Sequence, residues 1–516
     1  MNNSNAKEEV IAPLKSSGVL DQAVDFISNL SWAQTFLLLI VAGLIYDQVS
    51  YIRKKGSIAG PRFKMWPVIG PFLESMNPKF TEYEAKWRSG PLSCVSVFHK
   101  FVVIASTRDL ARKVLNSPAY ARPCVVDVAI KLLRPSNWVF KDGKEHLEYR
   151  KALNPLFTKQ AIAYYFPAME ECYHKYLEEF VASSEKYGAK EYMTEFREIN
   201  CANSLRVFCG RYISDDQVKS VSDNYYKVTA ALELVNFPII LPFTKPWYGK
   251  KICDMTMTII AGCAQLSKDH VAAGGEITCV MDAWCKTMYD GKSRTFSNKE
   301  ISETIFTFLF ASQDATSSAT TWLFQIIGDR PEVMLKIREE QLRVRGGNPN
   351  VPLTVDLVDK MEYTHMVVKE ALRYRPPVSM VPYVCKTDFP ITPEYTAPKG
   401  AMVIPTLHPA LHDPEVYDNP EEFIPERWVA GSKARKALNN WLVFGSGPHI
   451  CLGQKYVMLH LTALMGKACM LYDWKHTITP TSEVIRVFAT IFPEDDCILE
   501  FRKRTPDEVL DVPSLD

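Results

Sequence analysis

Residues Phe444-Gly445-Ser446-Gly447-Pro448-His449-Ile450-Cys451-Leu452-Gly453 constrain this chain more than any other stretch of it. A cysteine stands between glycine-rich corners, directly ahead of a run (Gln454-Lys455-Tyr456-Val457-Met458-Leu459) that suits a helix. A thiol in that place meets the positive end of the helix dipole, which favours thiolate. Glycines at 445, 447 and 453 let the backbone turn tightly and let a flat ligand approach the sulfur closely.

At 516 residues there is room for two to four average domains or one unusually large one. A hydrophobic share of 47% supports a substantial core. The net charge is +1, with no basic tail or Arg-rich helix, so nothing suits nucleic acid as a partner. The thirteen cysteines are scattered, odd in number and form no C-x-x-C pair, and a chain this long does not need disulfides. They read as reduced thiols in a cytosol-facing domain, small core residues apart from Cys451.

Composition shifts most sharply near the N-terminus. Leu30 to Tyr46 is uncharged and apolar, and with its edges is about the minimum for a membrane helix of roughly 17–25 residues. Arg53-Lys54-Lys55 follows at once, with Arg62 and Lys64 close behind, whereas Lys7 and Lys15 lie far upstream among Glu8, Glu9, Asp21 and Asp25. That asymmetry puts the C-terminal side in the cytosol and the N-terminus across the membrane. A cleaved signal peptide fits less well, because the apolar run starts late and the positive charges lie beyond it. An interfacial or core helix is the plainer alternative. The division is then a non-cytosolic segment 1–29, a transmembrane anchor 30–52, a basic, proline-rich hinge 53–71 and a catalytic domain 72–516.

Cys94 to Ile104 alternates like a hairpin around His99-Lys100. Beyond it the pattern is mainly helical, as over Thr158–Val181 and Ile301–Ile327, with short strand-like pieces after Arg375 and near the C-terminus. No repeat and no low-complexity block marks a second domain. The expectation is mainly α with a small β part, in one large domain behind one N-terminal transmembrane helix.

The glycine-bracketed loop resembles the haem-binding loop of the cytochromes P-450, Phe-x-x-Gly-x-(Arg/His)-x-Cys-x-Gly, matched at Phe444, Gly447, His449, Cys451 and Gly453. The resemblance implies the cytochrome P-450 fold and a haem whose iron takes Cys451 as axial ligand, with Phe444, Gly447 and His449 around it. Two further motifs follow the family's order. Glu370-Ala371-Leu372-Arg373 alone is an ion pair one helical turn apart, worth a few tenths of a kcal/mol at a surface. Joined to Pro425-Glu426-Arg427-Trp428 and the run His412–Phe423, it resembles the family's structural triad, which implies that Glu370, Arg373 and Arg427 support the haem loop.

His146 and Arg150 share a helix face suited to an anionic carboxylate. The family commonly has Trp-x-x-x-Arg there, touching a haem propionate, with histidine here in the tryptophan's place. Read without the family, both are surface residues. The apolar helix Ile301–Ile327 carries Ala311-Ser312-Gln313-Asp314-Ala315-Thr316 against the family's (Ala/Gly)-Gly-x-(Asp/Glu)-Thr. Asp314 falls on the acid, but alanine holds the usual threonine place and the hydroxyl comes one residue, or about 100°, later. The resemblance implies catalytic roles for Asp314 and Thr316, while the plainer reading is a polar stripe meeting water or neighbouring helices. By the same analogy Val125, Val126, Phe237, Ala311, Met380, Val381, Phe488 and Ile491 are pocket residues, each of which serves equally well as core. Phe237 to Trp247 is a candidate for dipping into a membrane surface.

A haem thiolate favours O–O cleavage and oxidation of unactivated C–H bonds. No strand–GxGxxG–helix unit for a flavin or nicotinamide is present, so the resemblance implies electrons from NADPH through a separate membrane-bound reductase. Ala-Ser-Gln-Asp-Ala-Thr-Ser, Arg-Pro-Pro-Val-Ser-Met-Val-Pro and the cysteine loop together resemble the fungal sterol C-22 desaturases of the ergosterol pathway. That implies a double bond between carbons 22 and 23 of a sterol side chain, made at the endoplasmic reticulum membrane by a single-pass protein facing the cytosol. Two rivals remain. One is another sterol-directed cytochrome P-450, 14α-demethylase-like or hydroxylating; the other is a haem-thiolate isomerase or carrier that needs no reductase.

Overall fold

The computed structural model describes residues 31–510 except 65, 67–68, 72–77, 98–99, 233–238 and 488–489; the segment 1–29 and the pocket candidates Phe237 and Phe488 lie outside the described residues. Helix α1 (Trp32–Lys55) begins at Ser31, whose hydroxyl accepts from the Gln34 N–H while the Gln34 side chain accepts from the Ser31 N–H. It runs to Lys55. Arg53, Lys54 and Lys55 suit the negative end of the dipole, and Gly56 at φ 53° ends the helix. It is the one described helix long and apolar enough to cross a membrane, and its apolar side chains from Trp32 to Ile45 are largely exposed.

After Gly56 the chain folds back along the last turns of α1. Gln48 brackets the Lys64 backbone, donating to its carbonyl at 2.7 Å and accepting from its N–H at 3.1 Å. The Tyr51 hydroxyl donates to the Pro61 carbonyl at 2.8 Å, and Lys64 pairs with Asp47 at 3.0 Å. Of the expected hinge, 53–55 therefore complete the helix and 56–64 pack against it.

A five-stranded sheet follows, from β1 (Leu92–Val97), β2 (Lys100–Ala105), β3 (Ala121–Pro123), β4 (Tyr383–Cys385) and β5 (Met402–Pro405), in the order β1-β2-β5-β4-β3. The expected hairpin is β1–β2, with Val97 opposite Lys100; β2 and β5 are parallel and the other pairs antiparallel. Phe101, Val103, Tyr383 and Val403 form a small core with Tyr51 of α1 and Ile58.

The rest is mostly helix: α2 (Gly143–Leu153), α3 (Lys159–Tyr187), α4 (Met193–Cys209), α5 (Asp215–Ala230), α6 (Lys245–Ala272), α7 (Asn298–Gly328), α8 (Pro331–Val344), α9 (Glu362–Tyr374) and α10 (Gln454–Leu471). Helix α7 starts at a capping box between Ser297 and Glu300 and is buried for most of its length. Its polar middle does not need water. Thr307, Ser317, Thr320 and Thr321 each donate a hydroxyl proton to the carbonyl four residues back, at 2.6–2.9 Å. A helix so satisfied can cross the core between α4, α6 and α9. All thirteen cysteines are free thiols, and all but Cys124 and Cys451 are buried.

Candidate active site

The cysteine loop enters α10 through two glycines in the left-handed region, Gly445 at φ 74° and Gly447 at φ 73°. At Gly447 a Cβ would also meet the Leu115 carbonyl oxygen at 2.6 Å, so only glycine fits; at Gly445 a Cβ would meet nothing within 4 Å. Gly453, the N-cap of α10, has ordinary φ, and a Cβ there would only come into ordinary contact with the Cys451 sulfur, at 3.9 Å. The Gly453 and Gln454 amides lie near enough to that sulfur to favour its charged form. Burial pushes the thiol up, while those amides and Arg150 pull it down. Cys451 is solvent-accessible only because it faces an internal cavity.

That cavity, of about 410 Å³, is mostly apolar and lies between the cysteine loop and α7. Phe308, Ala311, Ser312, Ala315, Thr316 and Ala319 give it one continuous helix face. At its edge His146 and His449 lie ring against ring, 4.2 Å between centroids, beside Arg150. Burial first, then the neighbouring His146 and Arg150, hold His449 down at about 4, against the pull of Asp142. Among the described residues no carboxylate pairs with Arg150. A sulfur backed by amides, apolar walls and a rim of unneutralised nitrogen bases suits a flat, largely apolar group bearing carboxylates. Haem fits that description.

Below the loop, Glu370 and Arg373 of α9 are fully buried and doubly bonded, at 2.9 and 2.8 Å. Glu370 also accepts from Arg427 Nε at 3.0 Å, Trp428 Nε1 at 2.9 Å and the Ile424 N–H at 3.1 Å. The two arginines hold the preceding segment by its carbonyls: Arg373 those of Leu411, Pro420 and Glu422, and Arg427 those of Asn419 and Glu422. Trp428 leads on to Trp441 (5.9 Å between ring centroids) and Trp441 to Phe444 (5.5 Å), which walls the cavity. The triad thus reaches the cysteine loop through indole rings. Trp428 announced itself by following Arg427 directly; Trp441 carries no signal in the sequence. A larger concavity of about 1140 Å³ on the outer side of the loop does not contain the sulfur.

Of the expected residues, Cys451, Phe444, His449, His146, Arg150, Ala311, Val381 and Thr316 line the cavity together. Gly447 does not, since it packs on Leu115. Asp314 does not either: its carboxylate binds Arg197 at 2.5 Å and the Thr229 hydroxyl at 3.1 Å, away from the lining. Val125, Val126 and Met380 lie off it, and Ile491 is core, its carbonyl accepting from Ser318 and Trp322. Sequence reasoning missed Ser312, Phe308 and Tyr456 as lining residues. A signal existed for the α7 face, in alanines at 311, 315 and 319, one every fourth residue.

The cytochrome P-450 family pattern matches residues 60–491. The chain is 63% identical over 495 residues to the C-22 sterol desaturase ERG5 of Saccharomyces cerevisiae, covering 94% of this chain and 92% of that one. The Candida albicans C-22 sterol desaturase ERG5 is 60% identical over 488 residues, covering 92% and 93%. A monooxygenase of Emericella variicolor, oblE, is 51% identical over 493 residues, covering 91% and 93%. Among solved structures, the retinoic-acid-bound cyanobacterial CYP120A1 superposes with a TM-score of 0.74 at 20% identity, covering 85% of this chain and 98% of that one, a likeness of fold.

Proposed function

From the premise that this chain belongs to the cytochrome P-450 family, we propose that it desaturates the bond between carbons 22 and 23 of a sterol side chain. Near-full-length identity to curated C-22 sterol desaturases supports the reaction. The structural observation that carries it is the meeting, in one apolar cavity, of the Cys451 sulfur with the alanine-lined face of α7. Haem bound by a cysteine thiolate supplies oxidation of unactivated C–H bonds with O₂ and external electrons. Overall, the side chain loses two hydrogens, and O₂ with two electrons and two protons leaves as two waters.

The residues divide that work. Cys451 would hold the iron, with the Gly453 and Gln454 amides favouring its thiolate. Arg150, His146 and His449 would hold the propionates, Phe444 and Gly447 would shape the loop, and Glu370, Arg373 and Arg427 would keep it in place. Ala311 and Val381 contact the sterol side chain. Thr316 offers a hydroxyl inside the cavity, whereas Asp314 acts from outside it by fixing Arg197 and Thr229. Helix α1 anchors the protein in the endoplasmic reticulum membrane as a single span, with the domain in the cytosol beside an NADPH-dependent reductase; Arg53, Lys54 and Lys55 at its end support that orientation.

The 51% identity to a protein named as a cytochrome P450 monooxygenase, with no reaction stated, keeps a second reading open, another oxidation on the same scaffold. Incubation with reductase, NADPH and candidate sterols, followed by mass spectrometry, separates the two. The 22,23-alkene is expected; a stable alcohol or a 14-demethylated product would replace this reading with the second.

A further inference from the structure

Glu370 and the residue before it grip one indole from two sides. Glu370 Oε2 accepts from Trp428 Nε1 at 2.9 Å, while Lys369 Nζ lies over the Trp428 ring, 4.3 Å from its centroid. A carboxylate on the N–H pushes electron density into the ring and strengthens its hold on a cation above the face. The same Nζ lies 4.8 Å from the centroid of the Trp441 ring. One ammonium thus spans two indoles. Among the described residues it meets no carboxylate and no other acceptor, although Lys369 is only 4% exposed.

Trp441 depends on that cation more than Trp428 does. Its Nε1 is buried without a hydrogen-bond partner, so contacts of the ring alone orient it. Those contacts include Lys369, Trp428 and Phe444, the last edge-on at 72°. Phe444 walls the cavity that Cys451 faces, and Lys369 does not line that cavity. A charge on α9 therefore reaches the cysteine loop through an indole that no hydrogen bond fixes.

That charge can be removed near neutral pH. Burial first, then Arg435 of the short helix Lys433–Lys436, bring Lys369 down to about 8. The charged groups packed around it do not change over the same range. Arg435 keeps its proton. His365, one turn earlier on α9, is held below its ordinary value by burial, Lys369 and Arg435, and is neutral there. Glu370 is engaged by Arg373, Arg427 and Trp428. Farther round the outer concavity stand Arg112, Asp359, Glu362, Lys455 and Lys159, the last paired with Asp356 and Asp359.

We propose that Lys369 is a positioning residue of the cysteine loop: its ammonium clamps Trp441 to Trp428 and so holds Phe444 in the cavity wall, and the loop slackens when the charge is lost. The proposal rests on the haem-thiolate reading and adds a fourth member to the buried triad.

The test uses haem-loaded wild type, Lys369→Met and Lys369→Arg, from about one unit below ordinary histidine neutrality to about one unit below an ordinary lysine. Two readouts are taken across that range. One is the rate at which haem passes to excess apomyoglobin; the other is the share of the reduced carbon monoxide complex that keeps a thiolate-type Soret band. In wild type the transfer rate is expected to rise roughly 10-fold as pH passes through about 8, the worth of one desolvated cation–π contact, and the thiolate-type share to fall with it. Lys369→Met should be fast and Lys369→Arg slow at every pH, since neither side chain titrates there. A flat wild-type profile, a step that survives in Lys369→Arg, or a slow Lys369→Met below the step would each overturn the proposal. Where Lys369→Met takes up no haem, the comparison of wild type with Lys369→Arg decides by itself. Failure of the underlying haem-thiolate reading looks different: wild type would then lack a thiolate-type Soret band at every pH.

Discussion

Arg197 and Asp314 form an ion pair, Nη1 to Oδ1 at 2.5 Å, with each side chain only about a tenth exposed. The Thr229 hydroxyl adds a contact at 3.1 Å. A pair this sheltered is costly to break from one side, because the remaining charge is buried without compensation. Arg197→Met is expected to lose about 3 kcal/mol of stability, and Arg197→Met combined with Asp314→Leu to regain most of it. Thermal denaturation in detergent checks both; equal losses in the single and double variants would contradict the pairing.

What could be read from the sequence was local chemistry. The cysteine loop declares itself because its glycines are spaced for left-handed turns and its cysteine precedes a helix, and both features survive in Gly445, Gly447 and α10. Glu370 and Arg373 were readable from their spacing and their order relative to Arg427. The direction of Asp314 was not, since it depends on Arg197, 117 positions away on another helix. Nor was the division of labour in the polar middle of α7, where Ser317, Thr320 and Thr321 bond back along their own helix while Gln313, Asp314 and Ser318 bond to neighbouring segments. Periodicity says which side of a helix is which. It does not say what packs there.

Five donors converge on the Glu370 carboxylate, one of them the Trp428 indole. Glu370→Gln leaves two buried guanidinium groups short of a counter-charge and is expected to cost about 3–5 kcal/mol and most of the bound haem. Trp428→Phe keeps the ring and removes one donor, for about 1–2 kcal/mol and a partial haem loss. Haem-to-protein ratios after purification give the order. Full haem content in Glu370→Gln would mean the triad does not support the loop.

Ala315 stands on the cavity face of α7 where a hydroxyl would reach the space above Cys451. With haem bound, a methyl there in place of a hydroxyl would bear on how the oxidation divides between alkene and alcohol. Ala315→Thr is expected to shift product from alkene toward alcohol. Chromatography of the two sterol products decides the matter, and an unchanged ratio removes any role for this position in the outcome.

Two buried histidines should make the fold acid-labile. His460 is held between Tyr173 and Asn200, and burial pushes it down to about 3. His412 stacks on His408 at 4.0 Å, and burial together with Arg373 and Arg375 brings it to about 3 as well. In the unfolded chain each returns to about 6.5. Between those values the unfolded state takes up protons that the fold refuses, so stability is complete above about pH 6.5 and is lost as pH falls toward 3. Each histidine costs about 1.4 kcal/mol per pH unit, so together they remove about 4 kcal/mol between pH 6.5 and 5. His460→Gln, which cannot charge, should be about 2 kcal/mol less acid-sensitive than wild type over that interval. Urea denaturation at pH 7 and pH 5, followed by tryptophan fluorescence, measures the difference directly. The same loss in both proteins would mean that His460 accepts a proton within the fold, and its hydrogen bonds to Tyr173 and Asn200 would then have to be reassigned.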